Sequence, residues 1–348
     1  EKSFAYMMTI FDGICTIIDK NIGLDQKECL HEFCRLLGRI NKHINLNHAH
    51  GSDGYLEAVR KVRTFTLATL DNWAQGFYSI HYLLNFWESL VTFSKNAHSE
   101  DVQTIQDDIL TIACDFIASK FSLANYFLKV DRGERSPVGD LFENPLENDG
   151  QAKQQLAPLR LLSKCHFQKL AERLKAQLSE YADLQSSDTL KVHQFSWLVH
   201  IIAVIIDGNQ RNLHNVLQEN CSNSDRIQQD DQEERALTVN SLNGELISHV
   251  FYIIEKQNLN IEVLNLAFLQ FLDTFTKIFF GEWTHISNIA VHSKICELLE
   301  LESENDVLSI LIKKILFYVQ NYPDHTLITK RSIKLLDKLF AKVSVKRV

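Results

Sequence analysis

Apolar residues recur at three- and four-residue steps from one end of this chain to the other, and little in the sequence interrupts them. Between Phe77 and Val91 the apolar positions are Phe77, Ile80, Leu83, Leu84, Trp87, Leu90 and Val91, a spacing that lines one face of a helix. The string HEFCRLLGRI (His31 to Ile40) repeats the pattern with Phe33, Leu36, Leu37 and Ile40, and Ile44 continues it. Only 4 Pro and 12 Gly occur in 348 residues, against 45% hydrophobic residues. That is too few breakers for a fold rich in turns and strands. The pattern predicts an all-α chain.

The helices can be placed in order. The first covers about Lys2 to Asp19 and stops at Asn21-Ile22-Gly23, where Gly23 can take the left-handed cap conformation. Asp25 and Glu28 resemble a capping box for the next helix, which runs to about Ile44. Asp53 opens a helix to about Ala74, with Val59, Val62, Phe65, Leu67, Leu70 and Trp73 on its apolar face. Two more follow, from about Gly76 to Lys95 and from Ser99 to Leu128. Val130 to Gly150 carries Gly133, Pro137, Gly139 and Pro145 and is expected to be a loop. The next helix spans about Gln151 to Tyr181, with Pro158 marking a kink or a later start. From Lys191 to Ile206 the sequence is apolar around most of its circumference, as in an inner helix between stacked neighbours.

Asp207 to Asn243 is expected to be a second gap and a mobile insertion. Glu219 to Glu234 holds six acidic residues and one Arg. Helices resume at about Glu245 to Lys256, Ile261 to Phe280, Thr284 to Leu299, Glu304 to Asn321 and Thr326 to Val343. Ser303 to Asp306 supplies a capping signal. Antiparallel pairs of about 40 to 55 residues suit HEAT-like repeats, whose period is near 40 to 47. One pair cannot bury both of its apolar faces, so neighbours stack into a superhelical solenoid. No fixed motif repeats cleanly, and a globular all-α bundle stays open on pattern alone. The expectation is one continuous arc over residues 1–348, broken by loops at about 130–150 and 207–243. The chain begins at Glu1 and shows no signal-peptide core, so it reads as an internal fragment.

Charge and cysteine usage narrow the function classes. Net charge is −8. Lys313 to Arg347 holds nine Lys and Arg against two Asp, which makes this end +7 and the remainder −15. Such an acidic balance argues against binding a nucleic-acid backbone. The seven Cys are scattered and odd in number, which fits a reducing cytosolic or nuclear setting better than a disulfide framework. The longest uninterrupted apolar run, within Trp197 to Ile206, falls short of the roughly 20 residues that span a membrane.

The residues that suggest chemistry have simpler explanations. His43, His48 and His50 lie near Asp53 on one polar segment without Cys partners, where a metal would need three or four convergent ligands. His31-Glu32 opens like a zinc-protease motif, but Arg35 occupies the position of the second His. Cys29 and Cys34 are five apart, outside zinc-knuckle spacing, and are expected to pack. No phosphate-binding glycine loop and no nucleophile elbow occurs. Asn220-Cys221-Ser222 matches a glycosylation acceptor that a reducing compartment leaves idle. Trp87 and Trp197 are expected core anchors. No enzymatic activity, cofactor or metal is expected. The acidic stretch Glu219, Asp225, Asp230, Asp231, Glu233 and Glu234 is either a solvated linker or a contact for a basic partner.

Several strings occur together in a recognisable order: HEFCRLLGRI, NFWESLVTFSK, LFENPLENDG, QQLAPL, FSWLVHIIAVIIDG, KIFFGE (Lys277 to Glu282) and VLSILIKKI (Val307 to Ile315). Together they resemble the central part of the exportin-7 family, which includes Ran-binding proteins sixteen and seventeen and belongs to the importin-β superfamily of nuclear transport receptors. The resemblance covers nearly the whole chain. It implies a solenoid of HEAT repeats that binds without chemistry: to the GTP form of the Ran GTPase, to protein cargo and to nuclear pore proteins. It implies a monomeric receptor shuttling between nucleus and cytoplasm, with no nucleic acid, membrane insertion or cofactor. The family's amino-terminal Ran-binding repeats lie outside this arc. The family also breaks its helices with an acidic stretch before a GEL string, here Gly244-Glu245-Leu246; in this sequence the stretch is longer and richer in Asn, Ser and Gln. By that resemblance Asp225, Asp230, Asp231, Glu233 and Glu234 are candidates to touch a basic face of Ran or cargo. The alternative is a Ran-independent HEAT-repeat scaffold, for instance in vesicle traffic or kinase regulation.

Overall fold

The computed structural model describes residues 2–43, 53–94, 100–133, 144–146, 149–185, 187–220, 226–256, 261–280 and 293–345, and no strand occurs among them. The helices are α1 (Lys2–Asp19), α2 (Lys27–His43), α3 (Asp53–Asp71), α4 (Trp73–Gly76), α5 (Ile80–Ser94) and α6 (Glu100–Asp131). They continue with α7 (Asp149–Leu156), α8 (Leu159–Leu162), α9 (Phe167–Ser179), α10 (Thr189–Asn220) and α11 (Arg226–Lys256). The last are α12 (Glu262–Phe279), α13 (Glu304–Asn321) and α14 (Thr326–Val345), with a short helical stretch at 293–298. Contacts divide the chain into two compact units: Glu1–Phe142 with Leu161–His166, and Glu143–Arg160 with Phe167–Val348.

In the first unit the broadest contacts skip a long helix. α1 packs on α3 and α3 on α6, while α2 packs on α5. That is a two-layer stack of helical hairpins, in which each helix meets its counterpart in the next hairpin. The first-layer helices begin at Lys2, Asp53 and Glu100, steps of about fifty residues, at or just above the upper end of the HEAT period. The core follows the predicted stripes: Ile80, Leu83, Leu84, Trp87, Leu90 and Val91 of α5 are all buried, as are Phe33, Leu37 and Ile40 of α2. Leu36, expected on that stripe, is 45% exposed, because the stripe is narrower than the sequence spacing allows. Trp87 donates its indole N–H to Thr66 Oγ1 at 3.1 Å, and Thr66 donates in turn to the Val62 carbonyl at 2.7 Å. A buried polar tip is thereby satisfied.

Gly38 of the HEFCRLLGRI string has a packing role. A Cβ there would lie 2.6 Å from the Tyr82 carbonyl oxygen, so only glycine lets α2 and α5 approach this closely. Gly23 takes φ +70 as its cap position requires. Asp25, in contrast, stands one residue too early to cap α2, which begins at Lys27. Cys34 is buried as expected, whereas Cys29 is exposed, because it sits on the outer side of the first turn of α2.

Lys120 of α6 is buried, its Nζ 4.7 Å from the centre of the Phe116 ring. Burial lowers its amine from the ordinary 10.5 to about 7. Between those values the unfolded chain holds a proton that the folded chain lacks, so stability rises with pH. The penalty is fully present below about 7. Raising pH from 7 to 8.5 should therefore stabilise the first unit by about 1–2 kcal/mol. Urea titrations of the parent chain and Lys120→Met at the two pH values check this: the gain belongs to the parent, and equal gains in both refute it.

The second unit is built the same way. α9 packs on α11, α10 on α12, α12 on α14, and α13 on α14. α10 is the inner helix that its composition predicts: Phe195, Trp197, Leu198, Val199, Ile201, Ile202, Ala203 and Ile205 are all at most 1% exposed. By length and composition its stretch Thr189–Arg211 could cross a membrane, yet 78% of the 18 most apolar consecutive residues in it are buried inside the protein. Phe251, Phe275, Phe279 and Phe280 form an aromatic cluster with centroids 4.7 to 6.5 Å apart. Ser303 caps α13 by donating its backbone N–H to Asp306 Oδ2 at 2.8 Å, as the capping signal predicts.

Two predicted elements differ. The single helix expected over Gln151 to Tyr181 is three helices, α7, α8 and α9. Pro158 lacks an N–H and pushes Ala157 out of helical geometry, and the turn at 163–166 makes the second break. The expected loop at 207–243 is instead helical over 207–220 and again over 226–243. Gln, Arg, Glu and Leu are good helix formers, and no Pro lies in the segment, so polarity alone does not unwind it. Of the loop expected at 130–150, residues 144–146 form a turn and α7 already covers Asp149; 134–143 and 147–148 lie outside the described residues. So do 281–292, the start of the helix expected from Thr284.

Candidate partner-binding site

The acidic stretch, which the sequence offers as either a solvated linker or a partner contact, falls largely on a long helical hairpin, α10 followed by α11. Every residue of α10 from Phe195 to Ile206 is buried. Near Asp207 the surroundings turn polar. Arg160 Nη2 lies 3.3 Å from Asp207 Oδ2 and Arg211 Nε 3.1 Å from the same oxygen. Beside them Gly208 lets α8 come close: a Cβ at this position would stand 2.8 Å from both Cα and Cβ of Arg160.

The next residues face α11. Asn209 Nδ2 donates to Asn243 Oδ1 at 3.2 Å, and Gln210 Nε2 donates to Asn240 Oδ1 at 2.9 Å. All four amides are buried, and Nδ2 of Asn240 and of Asn243 is left without an acceptor. Below this amide ladder α11 is held by buried Leu246, Ile247, Val250, Phe251, Ile253 and Ile254. Lys175 of α9 binds Glu245 of α11 at 2.5 Å. Above it one face of α11 is open to solvent: Leu237 is 50% exposed, and Thr238 and Glu234 are exposed.

Of the proposed contacts, Glu234 is exposed on α11, and Asp230, Asp231 and Glu233 occupy its helical backbone. Asp225 lies outside the described residues. The hairpin thus brings four of the five onto one helix. The amide ladder was missed by composition, although the sequence carries its signal. Asn240, Asn243, Ile247, Val250 and Ile254 follow a three-four-three-four spacing, and so do Phe195, Leu198, Ile202, Ile205 and Asn209. Polar residues that stay in phase with an apolar stripe are on its buried face.

Other suggestive residues form no site. His31 Nδ1 is 3.1 Å from Ser79 Oγ, and Glu32 pairs with Arg35 at 2.6 Å. His43, His48 and His50 have no described side chain. No group of three or more His, Cys, Asp or Glu side chains able to hold a metal occurs among the described residues. His200, deep in the second unit, is driven down to about 3 by burial and then by the charges of Arg331 and Lys153, so it stays neutral. Asp273 is pushed up by burial, but hydrogen bonds from Lys277 and Lys338 outweigh this and hold its carboxyl below the usual range. Through Lys338, Asp273 ties α12 to α14.

Comparisons with known proteins agree with this architecture. The family model described as "Exportin-7-like, TPR domain" matches residues 134–348. Exportin-7-B of Xenopus laevis is 24% identical over 350 residues, covering 96% of this chain and 29% of that protein. Ran-binding protein 17 of Homo sapiens and Ran-binding protein 16 of Drosophila melanogaster are each 23% identical with the same coverage. The chain therefore spans about 29% of the length of these relatives. No solved structure matches.

Proposed function

Because this chain belongs to the exportin-7-like family, we propose that it is a segment of a nuclear transport receptor that binds protein cargo and the GTP form of Ran. The observation that supports this most directly is the relatedness to exportin-7 and Ran-binding proteins along 96% of the chain. A stack of helical hairpins suits the role. It offers an extended surface to a folded partner, and the function requires binding alone, without catalytic groups or a cofactor. The receptor passes nuclear pores as a monomer and shuttles between nucleus and cytoplasm.

Within it, Asp230, Asp231, Glu233 and Glu234 of α11, together with Asp225, meet a basic face of Ran or cargo. Carboxylates presented this way steer association and set specificity more than they add raw affinity. Capture of the full-length protein by Ran locked with GTP or with GDP tests the role. GTP-selective capture supports it; equal or absent capture points to a Ran-independent scaffold. Charge reversal of Asp230, Asp231, Glu233 and Glu234 together is expected to weaken binding by about tenfold at low salt, chiefly through a slower on-rate. Unchanged affinity at low salt would remove these residues from the interface.

A further inference from the structure

We propose that the buried amide ladder of Asn209, Gln210, Asn240 and Asn243 is a register lock that positions the acidic part of α11 for its basic partner. This rests on the acidic hairpin being a partner contact. The ladder sits between the deeply buried part of α11 and a part with one exposed face. On one side α11 is anchored by Leu246, Ile247 and Val250; on the other Glu234, Leu237 and Thr238 are exposed. Apolar contacts alone select a register weakly, because one methyl-lined turn fits much like the next. The two amide bonds, at 3.2 and 2.9 Å, select it strongly. Asn240 and Asn243 are themselves a turn apart, so a slip by one helical turn keeps at most one such pair and strands at least two buried amides, each of which then bears its full desolvation cost. A polar pair inside an apolar helix interface fixes register in this way elsewhere.

The ladder is a poor device for stability. Nδ2 of Asn240 and of Asn243 is buried without an acceptor, so leucines at these positions would pack with no such loss. What the amides supply is placement. A slip of one turn moves every carboxylate beyond them by about 5.4 Å along the axis, enough to break an array of charge contacts. Asn209, Gln210, Asn240 and Asn243 are therefore positioning residues that touch no partner themselves.

The experiment compares three forms of the full-length protein, each with genetically encoded spin labels at Arg211 and Leu237. They are the parent, the all-leucine variant (N209L, Q210L, N240L, N243L) and the amide-exchanged variant Gln210→Asn/Asn240→Gln. Dipolar spectroscopy reads the register; titration with Ran bound to a non-hydrolysable GTP analogue reads affinity. The parent and the exchanged variant are expected to give one narrow distance. The leucine variant is expected to melt no lower than the parent yet give a broadened distribution. If about one molecule in ten then holds the competent register, affinity falls about tenfold. A narrow, unshifted distance in the leucine variant overturns the lock. Broadening without an affinity loss, in a protein whose charge-reversed form does bind more weakly, overturns the positioning role. Broadening when neither variant alters binding leaves the lock standing and removes the acidic contact instead. Should the quadruple variant fail to fold, Gln210→Leu/Asn240→Leu carries the same readouts.

Discussion

Trp197→Ala is expected to lower the stability of the second unit by about 3–5 kcal/mol, the range for truncating a large buried aromatic side chain. The reason lies in the position of α10. Trp197 is fully buried, and so are its neighbours Phe195, Ser196, Leu198 and Val199, so no solvent-facing side exists toward which the cavity could collapse. α10 also packs against α7, α9, α11 and α12, and the lost volume is felt by several helices together. The measurement is a denaturant titration followed through the transition that carries the second unit. Tyr252→Ala is the reference, since Tyr252 is 44% exposed on α11 and its loss should stay within about 0.5 kcal/mol. A shift in Trp197→Ala no larger than in Tyr252→Ala would show that α10 is not the keystone of its unit.

The same helix shows how much of this fold was legible. Its apolar circumference from Phe195 to Ile206 announced an inner helix, and the stripes of α2 and α5 announced an amphipathic stack. These follow from spacing, because burial in a helix is periodic. Composition misleads at the polar segment after Ile206, because polarity by itself does not oppose helix formation. Helix formation depends on backbone hydrogen bonds and the absence of breakers; a polar helix persists when its neighbour is equally polar and satisfies it. Asn209 with Asn243, and Gln210 with Asn240, do this. Which amide meets which is a long-range fact, with partners 34 and 30 residues apart, and no local pattern encodes it. Helix breaks were legible only in part, since Pro158 signalled one and nothing as plain signalled the turn at 163–166. Of the acidic candidates, sequence supplied the charges, while their placement on one arm of a helical hairpin came from the structure.

Glycine substitution separates packing from propensity with opposite signs. Gly13 of α1 is exposed, and a Cβ there would meet nothing within 4 Å. Gly13→Ala should therefore stabilise the first unit by about 0.5–1 kcal/mol, the helix-propensity difference between the two residues. Gly208 occupies the interior of α10, and the same propensity gain applies. Its Cβ, however, would stand 2.8 Å from Arg160 Cα and 2.9 Å from the Arg160 carbonyl oxygen. These are backbone atoms, so α8 itself must retreat rather than a side chain swing aside. Overpacking of this kind costs typically about 1–3 kcal/mol; because the collision is with backbone, the cost belongs at the upper end and exceeds the gain. Retreat of α8 also stretches the 3.3 Å contact between Arg160 and Asp207. Gly208→Ala is therefore expected to destabilise the second unit by about 2 kcal/mol net, and Gly208→Val by more, since a β-branched side chain adds bulk where none fits. Thermal melts of the three variants check this. Equal stabilisation by Gly13→Ala and Gly208→Ala would mean that α8 does not press on α10. The opposite signs would establish that the glycine closing the FSWLVHIIAVIIDG string is there for the close approach of α8.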